Sequence, residues 1–181
     1  MQMYERILTS INLLIENSKE IQDNENVKKY LNVSHISPLQ FAKELCTIKV
    51  CSARSSGHSM AINKFILDKA ASNEKWALIS HNQHCLERNL NGISEHIKSL
   101  NGEVIASYSI NYFTKHKVVF ANGGEIHLVS INSTDNLRGL ELDGIIVDCA
   151  SIISEKKIEQ LYNDGFQCMS TKQYKYLIFV E

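Results

Sequence analysis

Hydrophobic residues recur along the first 45 residues at the spacing of helices. The pattern over 3–20 predicts an amphipathic helix, and a short second helix is expected over 27–31. Ser37 followed by Pro38 predicts the start of a third helix that runs to about residue 45, because serine caps a helix and proline suits its first turn. The apolar face of the first helix carries Met3, Ile7, Ile11, Leu14 and Ile15.

After residue 48 short apolar runs alternate with helical patterns, which is typical of a sheet between layers of helices. The unbroken run 145–147 indicates a strand buried on both faces, and Asn122-Gly123-Gly124 predicts a hairpin turn. We therefore expect a three-layer α/β/α sandwich with a mainly parallel central sheet and a β-hairpin insertion. Strands are expected at 48–51, 76–80, 103–109, 117–121, 125–131, 145–147 and 176–180, and helices at 60–71, 86–100 (closed by Asn101-Gly102) and 154–162.

Length and composition fit one globular domain. We expect residues 1–35 to form a helical segment packed on a core domain of residues 36–181. Nineteen basic and twenty acidic residues give a net charge of -1, so no general positive field favours nucleic acid. No apolar run approaches the ~20 residues of a membrane span. Five cysteines, an odd number at irregular spacing, predict a reduced, cytoplasmic protein.

The segment between the strand at 48–51 and the next helix has the layout of a phosphate-binding loop. The motif G-x-x-x-x-G-K-[ST] becomes S-A-R-S-S-G-H-S over 52–59. Gly57 and the hydroxyl of Ser59 are kept, whereas Ser52 replaces the first glycine and His58 replaces the lysine. Histidine is shorter than lysine and, at an ordinary pKa of about 6.5, mostly neutral at pH 7. An ordinary strand–turn–helix connection is the alternative interpretation.

A second motif lies at the end of the apolar strand 145–147. Asp148 follows it, and an aspartate in this place holds Mg²⁺ through water beside bound phosphates. Cys149 stands where ATP-hydrolysing proteins often carry a glutamate. A thiol is a poor general base at neutral pH and a poor ligand for Mg²⁺. In the alternative interpretation, Asp148 only caps the following turn.

Together these motifs resemble the ATPase domain of viral large terminase subunits and, more distantly, superfamily 2 helicases, with degenerate Walker A and Walker B motifs. The resemblance runs in order over residues 36–150. It is carried by Pro38-Leu39-Gln40, Arg54 in the loop, Trp76-Ala77-Leu78-Ile79, Asn122-Gly123-Gly124-Glu125-Ile126, Leu137-Arg138-Gly139 and the run 145–150.

The resemblance implies a P-loop NTPase fold, a viral origin, and ATP with Mg²⁺ as ligands whose binding is weakened or lost. Cys149 takes the usual glutamate position, Arg54 is the candidate phosphate-contacting arginine, and Ser59 with Asp148 would hold Mg²⁺. The resemblance also requires Gly57 and Asp148 to lie close together. The implied nucleotide-binding residues are Gln40, Arg54, Ser55, Ser56, Gly57, His58 and Ser59.

We favour a chain that binds a protein partner, for example to regulate or block a related ATPase, in the host cytoplasm. The two charged groups tied most directly to phosphoryl transfer, the lysine of the phosphate-binding loop and the glutamate after the aspartate, are both missing. The alternative is a slow ATPase or nucleotide-dependent switch in DNA packaging or nucleic-acid processing. A nucleic-acid-binding module is disfavoured by the charge. A zinc site at His81, His84 and Cys85 lacks a second ligand pair, and nothing in the sequence places a base beside Cys149 for nucleophilic chemistry.

Overall fold

The computed structural model describes residues 3–52, 57–99, 110–114 and 116–181. Within them lie six α-helices and seven strands. The helices are α1 (Met3–Asp23), α2 (Glu25–Tyr30), α3 (Pro38–Leu45), α4 (His58–Ala71), α5 (Gln83–Ser99) and α6 (Glu155–Cys168). The strands are β1 (Thr47–Val50), β2 (Lys75–Ser80), β3 (Ile110–Phe113), β4 (Lys117–Phe120), β5 (Glu125–Ser130), β6 (Gly144–Asp148) and β7 (Tyr176–Val180).

The strands form one sheet in the order β1-β7-β6-β2-β5-β4-β3. Neighbours from β1 to β5 run parallel, whereas β4 and β3 are antiparallel additions at one edge. The Asn122-Gly123-Gly124 turn joins β4 to β5, and Gly123 adopts a left-handed φ of 95° that glycine tolerates. The predicted three-layer sandwich with a hairpin insertion is confirmed.

Helices cover both faces of the sheet. On one face α1, α4 and α5 enclose a core that includes Ile11, Phe65, Trp76 and Ile93. On the other, α3, α6 and a 3₁₀ segment (Ile131–Leu137) pack over Ile79, Val147 and Phe179. Strand β6 is buried along its whole length, as its unbroken apolar run predicts.

The Asn122-Gly123-Gly124 turn is docked onto the end of α4. The Asn122 side-chain amide donates to the Ala71 carbonyl at 2.6 Å. The backbone of Gly124 approaches α4 so closely that a β-carbon there would overlap the carbonyl oxygen of Ala70. Glycine is therefore required at position 124 for space, because the hairpin and the helix meet backbone to backbone.

Trp76 fills the middle of the α4 face of the sheet and is completely buried. Its ring packs edge-on against Phe65 at 5.0 Å and lies parallel to Tyr176 at 6.2 Å. Its indole N–H donates to a Glu74 carboxylate oxygen at 2.8 Å. Gly144, opposite Trp76 on β6, leaves the space that the indole occupies, since a β-carbon there would overlap the ring.

Helix α6 and strand β3 differ from the sequence-based expectation, and several other helix ends shift by one to three residues. Helix α6 was expected to end at Tyr162 but continues to Cys168. The residues beyond Tyr162 are used in packing. Asp164 is buried and accepts hydrogen bonds, and Gly165 lets the Ile145 side chain approach to within 2.6 Å of where a β-carbon would lie. Strand β3 at Ile110–Phe113 was not predicted; the predicted strand 103–109 and the Asn101-Gly102 cap lie outside the described residues.

The end of helix α1 and the approach to strand β7 are joined by hydrogen bonds. Gln22 of α1 donates to the Lys175 carbonyl at 3.0 Å and accepts from the Lys175 N–H at 3.1 Å. The Tyr174 hydroxyl donates to Asp23 at 2.7 Å. These contacts lead directly into β7, which lies between β1 and β6 and so joins the first strand to the rest of the sheet.

None of the helices in the described ranges is long and apolar enough to cross a lipid bilayer.

Candidate functional site

The parallel strands β1 and β6 both end at the same side of the sheet, the side where its carboxyl ends lie. The two strands are not direct neighbours, because β7 lies between them. The connection from β1 nevertheless leads to Gly57, whose φ of 82° is left-handed, and then into α4. His58, the first residue of α4, crosses this gap and contacts Asp148 at the end of β6. The sequence predicts that these two motifs come together, and they do.

Three side chains form what we call the His–Asp–Cys cluster: His58, Asp148 and Cys149. The His58 Nε2 atom lies 3.4 Å from Asp148 Oδ1. The Cys149 thiol donates to the same carboxylate oxygen at 3.4 Å, and its sulfur lies 3.7 Å from His58 Nε2. The Asp148 side chain is 1% exposed and that of His58 is 22% exposed. The cluster is thus almost closed to solvent on the sheet side and accessible through His58.

The second oxygen of the Asp148 carboxylate is held by helix α5. Asn89 donates to Oδ2 at 2.8 Å and also to the Ser80 hydroxyl at 3.2 Å, and it is fully buried. The half-exposed Arg88 guanidinium lies 3.6 Å from Oδ2. One carboxylate oxygen is therefore fixed by α5, and the other faces His58 and Cys149.

Cys149 has an unusual backbone conformation, with φ 57° and ψ 48° in the left-handed region. Residues other than glycine, asparagine and aspartate rarely adopt it, since their β-carbon is crowded there. Burial is the largest cause, and the adjacent Asp148 carboxylate the second largest, of the rise in the pKa of the Cys149 thiol to about 11. At neutral pH the thiol therefore carries its proton, which makes it neither a general base nor a nucleophile.

The structure places a histidine beside Cys149, which the sequence alone did not indicate. It also adds Arg88 and Asn89 to the site, and sequence reasoning assigned neither a role. The sequence offered one weak signal for them. They are adjacent polar residues in the helix that follows β2, and that helix begins at the carboxyl side of the sheet. Their partner, Asp148, is distant in sequence, so the contact itself could not be read from the chain.

The other predicted site residues within the described ranges, Ser59 and Gln40, lie on helices at opposite faces of the sheet. Ser59 is the second residue of α4 and lines a groove of about 780 Å³ between α4 and α5, together with Met60 and Arg88. Gln40 lies on α3, which packs on the sheet face opposite α4. Arg54, Ser55 and Ser56 lie outside the described residues. The nucleotide-binding roles of all these residues, and a Mg²⁺-binding role for Ser59 and Asp148, stay predictions.

The start of the loop between β1 and α4 is hydrogen-bonded to the residue that follows β7. The Ser52 N–H and hydroxyl both donate to the Glu181 carbonyl, at 2.8 and 2.9 Å. At the other end of the loop, Gly57 abuts the first turn of α1: a β-carbon on it would lie 3.2 Å from that of Tyr4. Helix α1 thus packs against the entrance to α4 as well as against the core.

The Arg138-Gly139 pair that contributes to the resemblance is used structurally in this chain. The Arg138 guanidinium binds the buried Asp164 carboxylate of α6, with Nε and Nη2 each 3.2 Å from Oδ1. The Thr134 hydroxyl donates to the other carboxylate oxygen at 3.1 Å. This ion pair fastens the 3₁₀ segment to α6 and is separate from the His–Asp–Cys cluster.

Comparison with proteins of known structure supports the fold assignment. No family model and no curated protein sequence matches the chain. The ATPase domain of the Thermus phage P74-26 large terminase is similar over 87% of this chain and 68% of its own, with 16% identity and a TM-score of 0.58. A point mutant of that domain gives 14% identity and a TM-score of 0.57 over 87% of this chain and 69% of its own.

The large terminase of a second, thermophilic bacteriophage is also similar, with 16% identity and a TM-score of 0.51. The match covers 79% of this chain and 37% of that longer protein. At such low identity the likeness concerns the fold alone. The chain therefore has the fold of the phage large-terminase ATPase domains, and the resemblance predicted from its motifs is confirmed.

Proposed function

We propose that this chain is a terminase-like P-loop protein that has lost efficient ATP hydrolysis and acts by binding a protein partner, such as a related ATPase. The observation that carries the proposal is the His–Asp–Cys cluster. In it, the carboxylate that would organise Mg²⁺ faces an imidazole and a thiol.

The residues at this edge of the sheet fit Mg²⁺ poorly. Magnesium requires oxygen ligands in near-ideal octahedral geometry and keeps several waters. Oδ2 of Asp148 is engaged by Asn89, and Oδ1 faces one nitrogen and one sulfur atom, neither of which suits a hard cation.

The substitutions at positions 58 and 149 both remove charge that phosphoryl transfer needs. A lysine would carry a positive charge on a long flexible stem toward the phosphates, whereas His58 is turned to Asp148 at 3.4 Å. A glutamate would orient the attacking water, whereas the Cys149 thiol stays protonated. Positioning and electrostatic stabilisation are most of the catalysis in this reaction class, so their joint loss supports a binding role.

The first test is ATP hydrolysis by the wild-type chain and by the double variant His58→Lys/Cys149→Glu. We expect wild-type turnover at the background of the assay with Mg²⁺ present. We expect the double variant to gain at least about 10-fold, since a single well-placed charged or donor group is worth about 10²–10³ and the left-handed backbone at position 149 offsets part of that gain. The measurement is phosphate release with and without EDTA.

The alternative, a slow ATPase or nucleotide-dependent switch, makes the opposite prediction. Mg²⁺-dependent turnover above the assay background that His58→Ala abolishes would establish a slow ATPase, and turnover near the ~10 s⁻¹ typical of enzymes would refute the loss of activity. Tight ATP binding in calorimetry without turnover would support the switch in place of the partner role. His116→Ala, on an exposed histidine of the β3–β4 connection, serves as the matched control.

The second test addresses the partner. The purified chain is added to the active large terminase ATPase from the same source, and phosphate release is measured. We expect turnover of that ATPase to fall at least about 5-fold at saturation, with a complex detected by sedimentation, because a bound inactive copy of the fold occupies a subunit contact. Unchanged turnover together with no complex at a roughly 10-fold excess, against an albumin control, would reject this partner.

A further inference from the structure

The polar atoms of the His–Asp–Cys cluster converge on a point but are too far apart for good hydrogen bonds to histidine. The three separations are 3.4 Å for His58 Nε2 to Asp148 Oδ1, 3.4 Å for Cys149 Sγ to Oδ1, and 3.7 Å for Sγ to Nε2. A well-formed N–H···O bond measures about 2.7–3.2 Å. Within the described residues, these three side chains form a group of candidate metal ligands.

The three separations match the edges of a tetrahedral metal site. Zinc lies about 2.0–2.2 Å from nitrogen and oxygen ligands and about 2.3 Å from sulfur, so ligands around one ion are about 3.3–3.6 Å apart. Each observed separation is close to that range. An ion could therefore enter the cluster with the three side chains almost where they already are.

The chemistry of the donors selects the class of metal. Imidazole and thiolate ligands favour zinc and its neighbours cobalt, nickel and copper, whereas magnesium and calcium prefer oxygen throughout. Three protein ligands leave a fourth tetrahedral position for water or for a ligand atom from outside. The partial exposure of His58 provides the route by which an ion or that fourth ligand reaches the cluster.

The surroundings orient the carboxylate as metal sites require. Asn89 holds Oδ2 at 2.8 Å and is itself anchored on Ser80, so Oδ1 is presented toward His58 and Cys149. Hydrogen bonds to the second oxygen of a ligating carboxylate are a regular part of metal sites. The Arg88 charge also lies on the Oδ2 side, and its half-exposed guanidinium is screened by solvent.

The backbone at Cys149 gives independent support. A cysteine in the left-handed region is strained, and such strain is concentrated at functional sites. The conformation holds the thiol next to the carboxylate of the preceding residue, a contact at 3.4 Å. A cysteine kept only for packing has no need of this geometry.

We propose that His58, Asp148 and Cys149 bind one Zn²⁺ ion through Nε2, Oδ1 and Sγ, at the place where a related ATPase would hold Mg²⁺. The cysteine proton is released to solvent when the metal–thiolate bond forms. The proposal is independent of the partner-binding function, because its test uses the isolated chain and no ATPase.

The test starts from the full chain freed of metal with a chelator and titrated with Co²⁺, whose visible spectrum reports tetrahedral and thiolate ligation. We expect the bands to saturate at one equivalent and to be removed by one equivalent of Zn²⁺. We also expect Zn²⁺, but not Mg²⁺ at the same concentration, to raise the midpoint of thermal unfolding. Competition with a chromophoric chelator gives the zinc affinity.

Variants decide whether the cluster is the site. Cys149→Ser and His58→Ala should each weaken zinc at least about 100-fold, and Asn89→Ala about 10-fold because the carboxylate loses its anchor. Cys51→Ser, on an exposed thiol that contacts the Glu181 carboxylate, should leave the affinity unchanged. Should Cys149→Ser fail to fold, His58→Ala at the partly exposed start of α4 answers the question alone. Absence of cobalt–thiolate bands, unaltered affinity in His58→Ala, or loss of binding in Cys51→Ser overturns the proposal.

Discussion

Replacing Gly124 with alanine is expected to lower the free energy of unfolding by about 3 kcal/mol. The added β-carbon would overlap the backbone carbonyl of Ala70, and the backbone of a helix end cannot rotate away as a flexible side chain can. Either the hairpin or the end of α4 must move, which also weakens the Asn122 bond to Ala71. Urea denaturation followed by circular dichroism measures the change, and the thermal midpoint should fall by roughly 6–12 °C.

Gly139→Ala is the matched control for this prediction. Gly139 has a left-handed φ of 84°, but beyond its chain neighbours no atom of the described residues lies within 4 Å of the place that an alanine methyl would take. Its substitution therefore tests backbone strain without a clash, and we expect a loss of about 1–2 kcal/mol there. Equal losses at positions 124 and 139 would show that the contact between the hairpin and α4 is looser than described.

Trp76→Ala is expected to cost about 3–5 kcal/mol, because it empties a fully buried site lined by Phe65 and Tyr176. The sharper expectation concerns Gly144 across the strand pair. In the wild-type chain Gly144→Ala should cost about 2–3 kcal/mol, since the new methyl group overlaps the indole. In the Trp76→Ala background the same substitution should cost less than about 1 kcal/mol, because the overlap is gone.

The coupling between these two positions is measured by a double-mutant cycle in urea. Gly165→Ala, on α6 and against Ile145 on the opposite face of the sheet, is the control substitution. Its cost should be the same with Trp76 present or absent, because Ile145 and Trp76 belong to the cores on opposite faces of the sheet. Additive losses for Gly144 and Trp76 would contradict the packing described here.

Much of the architecture could be predicted from the sequence, because the physical signals were local. Ser37 caps α3 as expected, with its hydroxyl accepting from the Gln40 N–H at 3.1 Å. The apolar run of β6 and the glycines of the hairpin turn were equally direct. Failures arose where a distant partner changed a local preference. The predicted end of α6 at Tyr162 is one example, since Asp164 beyond it is buried and pairs with Arg138 and Thr134 within a helix that continues to Cys168.

The composition of the site was readable from the chain, and its geometry was not. The sequence identified His58 and Cys149 as substituted motif positions and Asp148 as a retained one, and it predicted that the motifs of Gly57 and Asp148 come together. It could not predict that Cys149 adopts a left-handed conformation, or that Asn89 and Arg88 hold one side of the carboxylate. These features depend on backbone torsion and on contacts between residues 59 or more positions apart.

The place of β7 in the sheet has a consequence for how the chain is made. The ribosome synthesises β7 after every other described strand, yet β7 separates β1 from β6. Until it emerges, the nascent polypeptide holds two unpaired strand edges facing a gap, and such edges invite aggregation. The five residues of β7 fill this gap last, so the part of the sheet that connects β1 to β6 is completed late in biosynthesis.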